Sequence, residues 1–213
     1  MRIRTHTNPL SYRQRFNKLI DYIAIDAKTT NEQQLPLSYK DINHVDFEIG
    51  FGNGDFLLNY AHHNPTRMVI GAEVRKKTVE LFNERLKNHT ISNILTLHGN
   101  GQICLEDVFD DHQVDNIFVF HPDPWIKQRH NNRRIINNDF LVLVHQKLKS
   151  SGKLYISTDV ASLWESMLAI IKNNNNFALI DNHGFWQEFY STRWTQMCRE
   201  QQRTIFYGTF IPK

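Results

Sequence analysis

Two stretches of the chain combine residue types that suit chemistry better than they suit a core. The first is Glu48-Ile49-Gly50-Phe51-Gly52-Asn53-Gly54. Glycines at 50, 52 and 54 permit a tight turn and let a ligand lie against bare backbone, where a Cβ would obstruct it. Their spacing is GxGxG, not the GxGxxG that holds a pyrophosphate. Further on, Glu73 can accept hydrogen bonds from both hydroxyls of a ribose that carries no 2′-phosphate. Glu48, just before the glycines, needs a cationic or donor partner if it is buried, and the ammonium of a methionine moiety would provide one. Two acids around a glycine loop with no lysine nearby disfavour a phosphate ligand. They fit a sulfonium-bearing amino-acid nucleoside, S-adenosylmethionine, better than NAD. Asn100, in Gly99-Asn100-Gly101, offers an acceptor and a donor to an adenine edge, although Asn-Gly is also simply a favourable turn.

The second stretch runs from Phe120 to Arg134 and contains Pro122-Asp123-Pro124-Trp125 followed by Lys127, Arg129, Arg133 and Arg134. The two prolines stiffen the backbone around Asp123. Trp125 could stack on a base or fill a hydrophobic floor. A run of bases is usually a solvated face, but a rigid acid and an aromatic beside one favour nucleic-acid binding.

Alternating elements are needed to position these stretches. Val45 to Ile49, Met68 to Glu73, Ile94 to His98, Ile117 to Phe120 and Lys153 to Ser157 read as strands. Between them lie helical patterns. One starts near Asp55, and another places Val79, Phe82 and Leu86 on one face. A third covers Phe140 to Leu148, capped by Asn138 or Asp139, and a fourth carries Trp164, Met167, Leu168 and Ile171. This order predicts an α/β fold with parallel strands and helices on both faces. Phe177 to Ile180 and Ile205 to Ile211 look like two late strands pairing antiparallel at one sheet edge, joined by a long functional loop with some helix. Asn173 to Asn176 reads as a surface turn. Residues 1–40, with Arg2, Arg4, Arg13, Arg15 and Lys18, read as a basic N-terminal extension to a domain at 41–213.

Composition narrows the function classes. The chain has 213 residues, 40% hydrophobic and 22% charged, an ordinary globular mixture. A net charge of +3 permits a polyanionic partner without requiring one, so placement of the bases matters more than their sum. Cys104 and Cys198 are far apart and form no CxxC pair, which predicts a reducing compartment and no structural metal site. The polar, basic Met1 to Pro9 is unlike a secretory signal, and no window is long enough to span a bilayer. A cytoplasmic protein is expected; nothing fixes its oligomeric state.

From about Asp46 to Phe210 the chain resembles the bacterial tRNA (guanine-N7)-methyltransferase family. The PDPWxKxRHxxRR run at Pro122 to Arg134 carries most of the likeness. Glu48 to Gly54, Gly71 to Glu73, Ser157-Thr158-Asp159 and Ser191-Thr192-Arg193-Trp194 support it. The resemblance implies a Rossmann-like class I methyltransferase fold: a mostly parallel seven-stranded sheet with an antiparallel edge strand. It implies S-adenosylmethionine held by Glu48, Glu73, Asn100 and Asp123, with Asp123 also the catalytic acid. Tranfer-RNA contacts would fall on Lys127, Asp159 and Thr192, Arg193, Trp194 and Thr195, and the expected target is a guanosine in the tRNA variable loop.

The sequence departs from the family at four places. Asn100 stands where aspartate is usual, Thr195 where glutamate is usual in a T-x-x-E pattern, and His121 where an apolar residue is common. The glycines that normally follow the T-x-x-E pattern are missing, with Cys198 and Gln202 near their places. These changes keep a divergent paralogue, or a tRNA-binding protein without turnover, in view. An exocyclic-amine methyltransferase is a further reading, although Asp123-Pro124-Trp125 has one proline fewer than that class uses. A nicotinamide oxidoreductase fits least, because the loop spacing is wrong and the basic cluster would have no role.

Overall fold

The computed structural model describes residues 43–125 and 133–213. The expected extension at 1–40 lies outside the described residues, as do Lys127 and Arg129. The strands are β1 (Val45–Ile49), β2 (Met68–Glu73), β3 (Ile94–His98), β4 (Val114–Phe120), β5 (Leu148–Thr158), β6 (Phe177–Ile180) and β7 (Phe206–Pro212). Between them run α1 (Asp55–His63), α2 (Lys76–Leu86), α3 (Gly101–Val108), α4 (Asn138–Lys147), α5 (Ala161–Asn174), α6 (His183–Glu188) and α7 (Arg193–Glu200).

The sheet order is β3-β2-β1-β4-β5-β7-β6. Strands β3, β2, β1, β4 and β5 are parallel, whereas β7 runs antiparallel to both β5 and β6. The late antiparallel pair is present as expected, but β7 inserts between β5 and β6, so the edge belongs to β6. Both faces of the sheet are covered, and period-two alternation assigns each strand residue to one of them. Phe47, Ile117 and Ile156 pack towards α3, α4 and α5, with Leu105, Val144 and Met167 opposite. Phe118, Phe120 and Tyr155 point the other way, into an aromatic layer with Phe56 and Tyr60 of α1 and Phe185 and Trp186 of α6. Phe118 stacks on Phe185 with ring centroids 5.6 Å apart. This second layer holds the late segment against the sheet.

Local structure differs from expectation at α4, at α3 and over residues 183–203. Asn137, not Asn138 or Asp139, caps α4: its side-chain oxygen accepts from the Phe140 amide at 2.9 Å. An Asn-Asn-Asp run offers three candidate caps, and packing of Phe140 and Leu141 into the core selects among them. Helix α3, eight residues long, has too short an apolar stripe to show as a period in the sequence. The region from 183 to 203, expected mainly as loop, contains α6 and α7.

Gly54 shows why the glycine loop leads into α1 as it does. Its φ is +72°, and a Cβ there would lie 2.1 Å from Cε2 of Phe82 on α2. Gly54→Ala should therefore destabilise the fold by about 2–5 kcal/mol, combining left-handed strain with overpacking. Urea unfolding at constant m-value measures this, and a loss below about 1 kcal/mol would contradict the packing role.

Candidate active site at the carboxyl ends of the strands

The strand order reverses at β1, which has β2 on one side and β4 on the other. Loops leaving β1 and β4 therefore diverge, and in open α/β sheets the ligand crevice opens at that point. A cleft of about 380 Å³ lies there, lined by Gly50, Glu73, Asn100, Asp123, Trp125 and Arg133 among others. Four successive parallel strands thus bring residues far apart in sequence to one wall.

The glycine loop is anchored by Gly50 N–H donating to the Ala72 carbonyl at 2.7 Å and by Gly54 N–H donating to Phe51 at 2.8 Å. Gly50 has φ +77° and an ideal Cβ there would meet nothing within 4 Å, so the space over it is open to a ligand. Gly52 is also left-handed, and its N–H donates to Glu73 Oε2 at 3.2 Å. Glu48 is buried beneath the loop, 2% exposed, with no hydrogen-bond partner at Oε2. Burial, reinforced by the charges of Glu73 and Asp55, pushes its carboxyl up to about 8. Glu48 lies behind the cleft lining rather than in it, and its unpartnered carboxyl oxygen suits a donor or cation on a ligand seated over Gly50.

Glu73 is 4% exposed, and Arg75 engages it through its backbone N–H at 3.0 Å and its Nε at 3.1 Å. A ribose approaching Glu73 would share the carboxylate with that half-exposed guanidinium. Arg75 is a cleft residue the sequence reading missed; a basic residue two positions after the strand-end acid was the available signal. Asn100 lies on the wall but spends its carbonyl as the N-cap of α3, accepting from Gln102 and Ile103 amides at 3.0 and 3.3 Å. The expected acceptor for an exocyclic amine is thus already committed, and its amide donor is the group suited to an adenine ring nitrogen.

The loop after β4 presents Asp123 to the cleft. Two non-glycine residues flank it in the left-handed region, His121 at φ 47° and Trp125 at φ 41°, a cost of about 1–3 kcal/mol each that is typical of functional loops. Trp125 is 7% exposed and so forms a floor, with the exposed Arg133 stacked over its ring at 5.0 Å. Arg134 does not point away into solvent as its place in a basic run suggested. It donates to the Pro124 carbonyl at 3.0 Å and to Ser166 Oγ at 3.2 Å, bracing the loop against α5.

Two expected RNA contacts are internal. The Asp159 side chain is 3% exposed and takes hydrogen bonds from His121 Nδ1 at 3.1 Å and Trp194 Nε1 at 2.9 Å, while Arg203 pairs with its other oxygen. Burial alone would raise this carboxyl, but those bonds hold it well below the usual carboxylate range. Thr195 is fully buried and forms a reciprocal capping box with Thr192: the Thr192 N–H donates to Thr195 Oγ1 at 2.9 Å and the Thr195 N–H donates to Thr192 Oγ1 at 3.0 Å. Its hydroxyl therefore takes the capping role open to a glutamate at that position, and it cannot touch an RNA in this conformation. Arg193, at the first turn of α7, is exposed, Thr192 is half-buried, and Trp194 faces Asp159.

A family profile described as "Putative methyltransferase" matches residues 43–209. The tRNA (guanine-N(7)-)-methyltransferase of Prochlorococcus marinus is 34% identical over 187 residues, which cover 86% of this chain and 84% of that protein. The chain belongs to the tRNA (guanine-N7)-methyltransferase family. It also matches the bifunctional methyltransferase of Rickettsia prowazekii, 33% identical over 163 residues, and there it spans only 31% of the relative's length. Among solved structures, the 16S rRNA methyltransferase KamB superposes with a TM-score of 0.60 at 14% identity, covering 82% of this chain and 91% of that one. At that identity the likeness is one of fold, the Rossmann-like class I methyltransferase sheet. Among the described residues, no helix is long and apolar enough to cross a membrane.

Proposed function

We propose that this chain transfers the methyl group of S-adenosylmethionine to N7 of a guanosine in the variable loop of cytoplasmic tRNA. One observation supports this reading above the others: a single cleft holds the open glycine backbone, Glu73 and the rigid Asp123 loop side by side. When bound, the cofactor supplies an electrophilic methyl that N7 takes with its own lone pair while the S–C bonding electrons return to sulfur.

Glu48, once ionised, would meet the ammonium of the cofactor, Glu73 would receive the ribose hydroxyls, and Gly50 and Gly52 would give the close approach. Guanine N7 carries no proton at neutral pH, so no side chain acts as a strong base. The protein's task is alignment of N7 with the methyl group, which is catalysis by orientation. Asp123 stabilises the positive charge that moves onto the purine, or grips the guanine's N1–H and amino edge. The exposure of Arg133 over Trp125 and of Arg193 at α7 supports a role for both in meeting phosphate.

Incubation of the full chain with methyl-labelled S-adenosylmethionine and bulk tRNA should place label in the tRNA. Binding of tRNA with no label at saturating cofactor would instead make this a binding protein. The two adjacent arginines should separate in the same assay. Arg133→Ala should weaken tRNA binding and flatten its salt slope by about one unit. Arg134→Ala should leave that slope unchanged and lower kcat by roughly tenfold, since it loosens the loop that carries Asp123. An equal loss of slope in both variants would contradict the assignment.

A further inference from the structure

A closed set of buried polar groups joins the Asp123 loop to α7. His121 is 4% exposed, and its two ring nitrogens are both engaged. Nδ1 lies 3.1 Å from Asp159 Oδ1, and because that carboxylate only accepts, Nδ1 carries the hydrogen. Nε2 lies 2.8 Å from the Tyr190 hydroxyl, which in turn is 2.6 Å from Ser157 Oγ. Burial pushes the Tyr190 phenol up, so it stays a hydroxyl. Asp159 also receives Trp194 from the first turn of α7 and pairs with Arg203 beyond that helix. The His121 backbone N–H donates to the Ser157 carbonyl at 2.8 Å, which fixes the loop where it leaves the sheet.

An apolar residue at 121 would fill the same space, yet it would leave the Asp159 and Tyr190 groups without these partners. A buried imidazole with both nitrogens occupied has one permitted orientation. Its backbone is left-handed at φ 47°, and Asp123 follows two residues later. We propose that His121 is a positioning residue that locks α7 to the loop carrying Asp123, through Asp159 on one ring nitrogen and Tyr190 on the other. Asp159 thereby serves inside the protein, setting where the exposed face of α7 stands relative to Asp123. The kinetic part of this inference rests on the methyl transfer proposed above.

The test uses His121→Phe, Tyr190→Phe and His121→Asn, the last keeping a donor where Nδ1 stands. The measurements are kcat for tRNA methylation, affinity for S-adenosylhomocysteine, and amide hydrogen exchange of α1 and α7. His121→Phe should lower kcat about tenfold or more while S-adenosylhomocysteine binds within about threefold of wild type. The α7 amides should exchange faster and the α1 amides should not. His121→Asn should restore part of kcat and the α7 protection. If His121→Phe fails to fold, Tyr190→Phe and His121→Asn carry the same comparison. Unchanged kcat in Tyr190→Phe and His121→Phe, or parallel loss of product affinity, or equal acceleration of α1 and α7, would overturn the proposal. Should the wild-type chain transfer no methyl group, the exchange comparison alone decides it, so failure of the function and failure of the lock are distinguishable.

Discussion

Asp123→Ala is expected to cut the rate of methyl transfer by about 10²–10³, the scale seen when one preorganised electrostatic group facing developing charge is removed. The fold should survive, because Asp123 is partly exposed on a loop and contributes nothing to either core. Asp123→Asn separates charge from shape. It keeps an acceptor at the same place, so it should fall between alanine and wild type if hydrogen bonding to the guanine edge matters. It should match alanine if charge stabilisation dominates. Steady-state kinetics with tRNA, alongside thermal unfolding, checks both. Near-wild-type turnover in the alanine variant would remove Asp123 from the reaction.

Glu48→Gln should change stability and cofactor binding in opposite directions. The carboxyl of Glu48 stands at about 8 in the folded protein against an ordinary value of 4.5. Because the folded state holds the proton more tightly, its stabilisation is complete below about pH 4.5 and is lost as the pH rises towards 8. Glutamine removes this dependence. The ligand-free variant should therefore be more stable than wild type at pH 8, by on the order of a few kcal/mol, and nearly equal to it at pH 4.5. If Glu48 meets the cofactor's ammonium as proposed, affinity for S-adenosylhomocysteine should weaken by about 10- to 100-fold. Urea unfolding at the two pH values and titration calorimetry measure the pair. A variant less stable at pH 8 with unchanged affinity would show that Glu48 is satisfied within the protein and takes no part in binding.

How far these features were legible in sequence depends on how local their causes are. The glycine loop, Glu73 and the PDPW loop follow from spacing along short segments, and strand alternation places them at one end of the sheet. The five parallel strands were likewise visible as apolar runs. What spacing does not show is which partner a polar side chain finds across the sheet. Asn100 offers the same amide to a helix cap as to an adenine, and the choice depends on where α3 begins. Arg133 and Arg134 are neighbours in sequence, yet one stacks over Trp125 and the other braces Pro124. Asp159, assigned to tRNA by resemblance, is instead enclosed by Trp194 and Arg203 from a segment that reads mainly as loop. Thr195 looks like the loss of a substrate contact, but with Thr192 it makes a capping box that keeps α7 in place.

The identity of the methylated atom tests the proposed reaction most directly. The full chain is incubated with labelled S-adenosylmethionine and tRNA, and the digested nucleosides are separated. Label should appear in 7-methylguanosine and be lost in Asp123→Ala. Label in a nucleoside methylated on an exocyclic amine, or none in any nucleoside while tRNA and cofactor both bind, would contradict it.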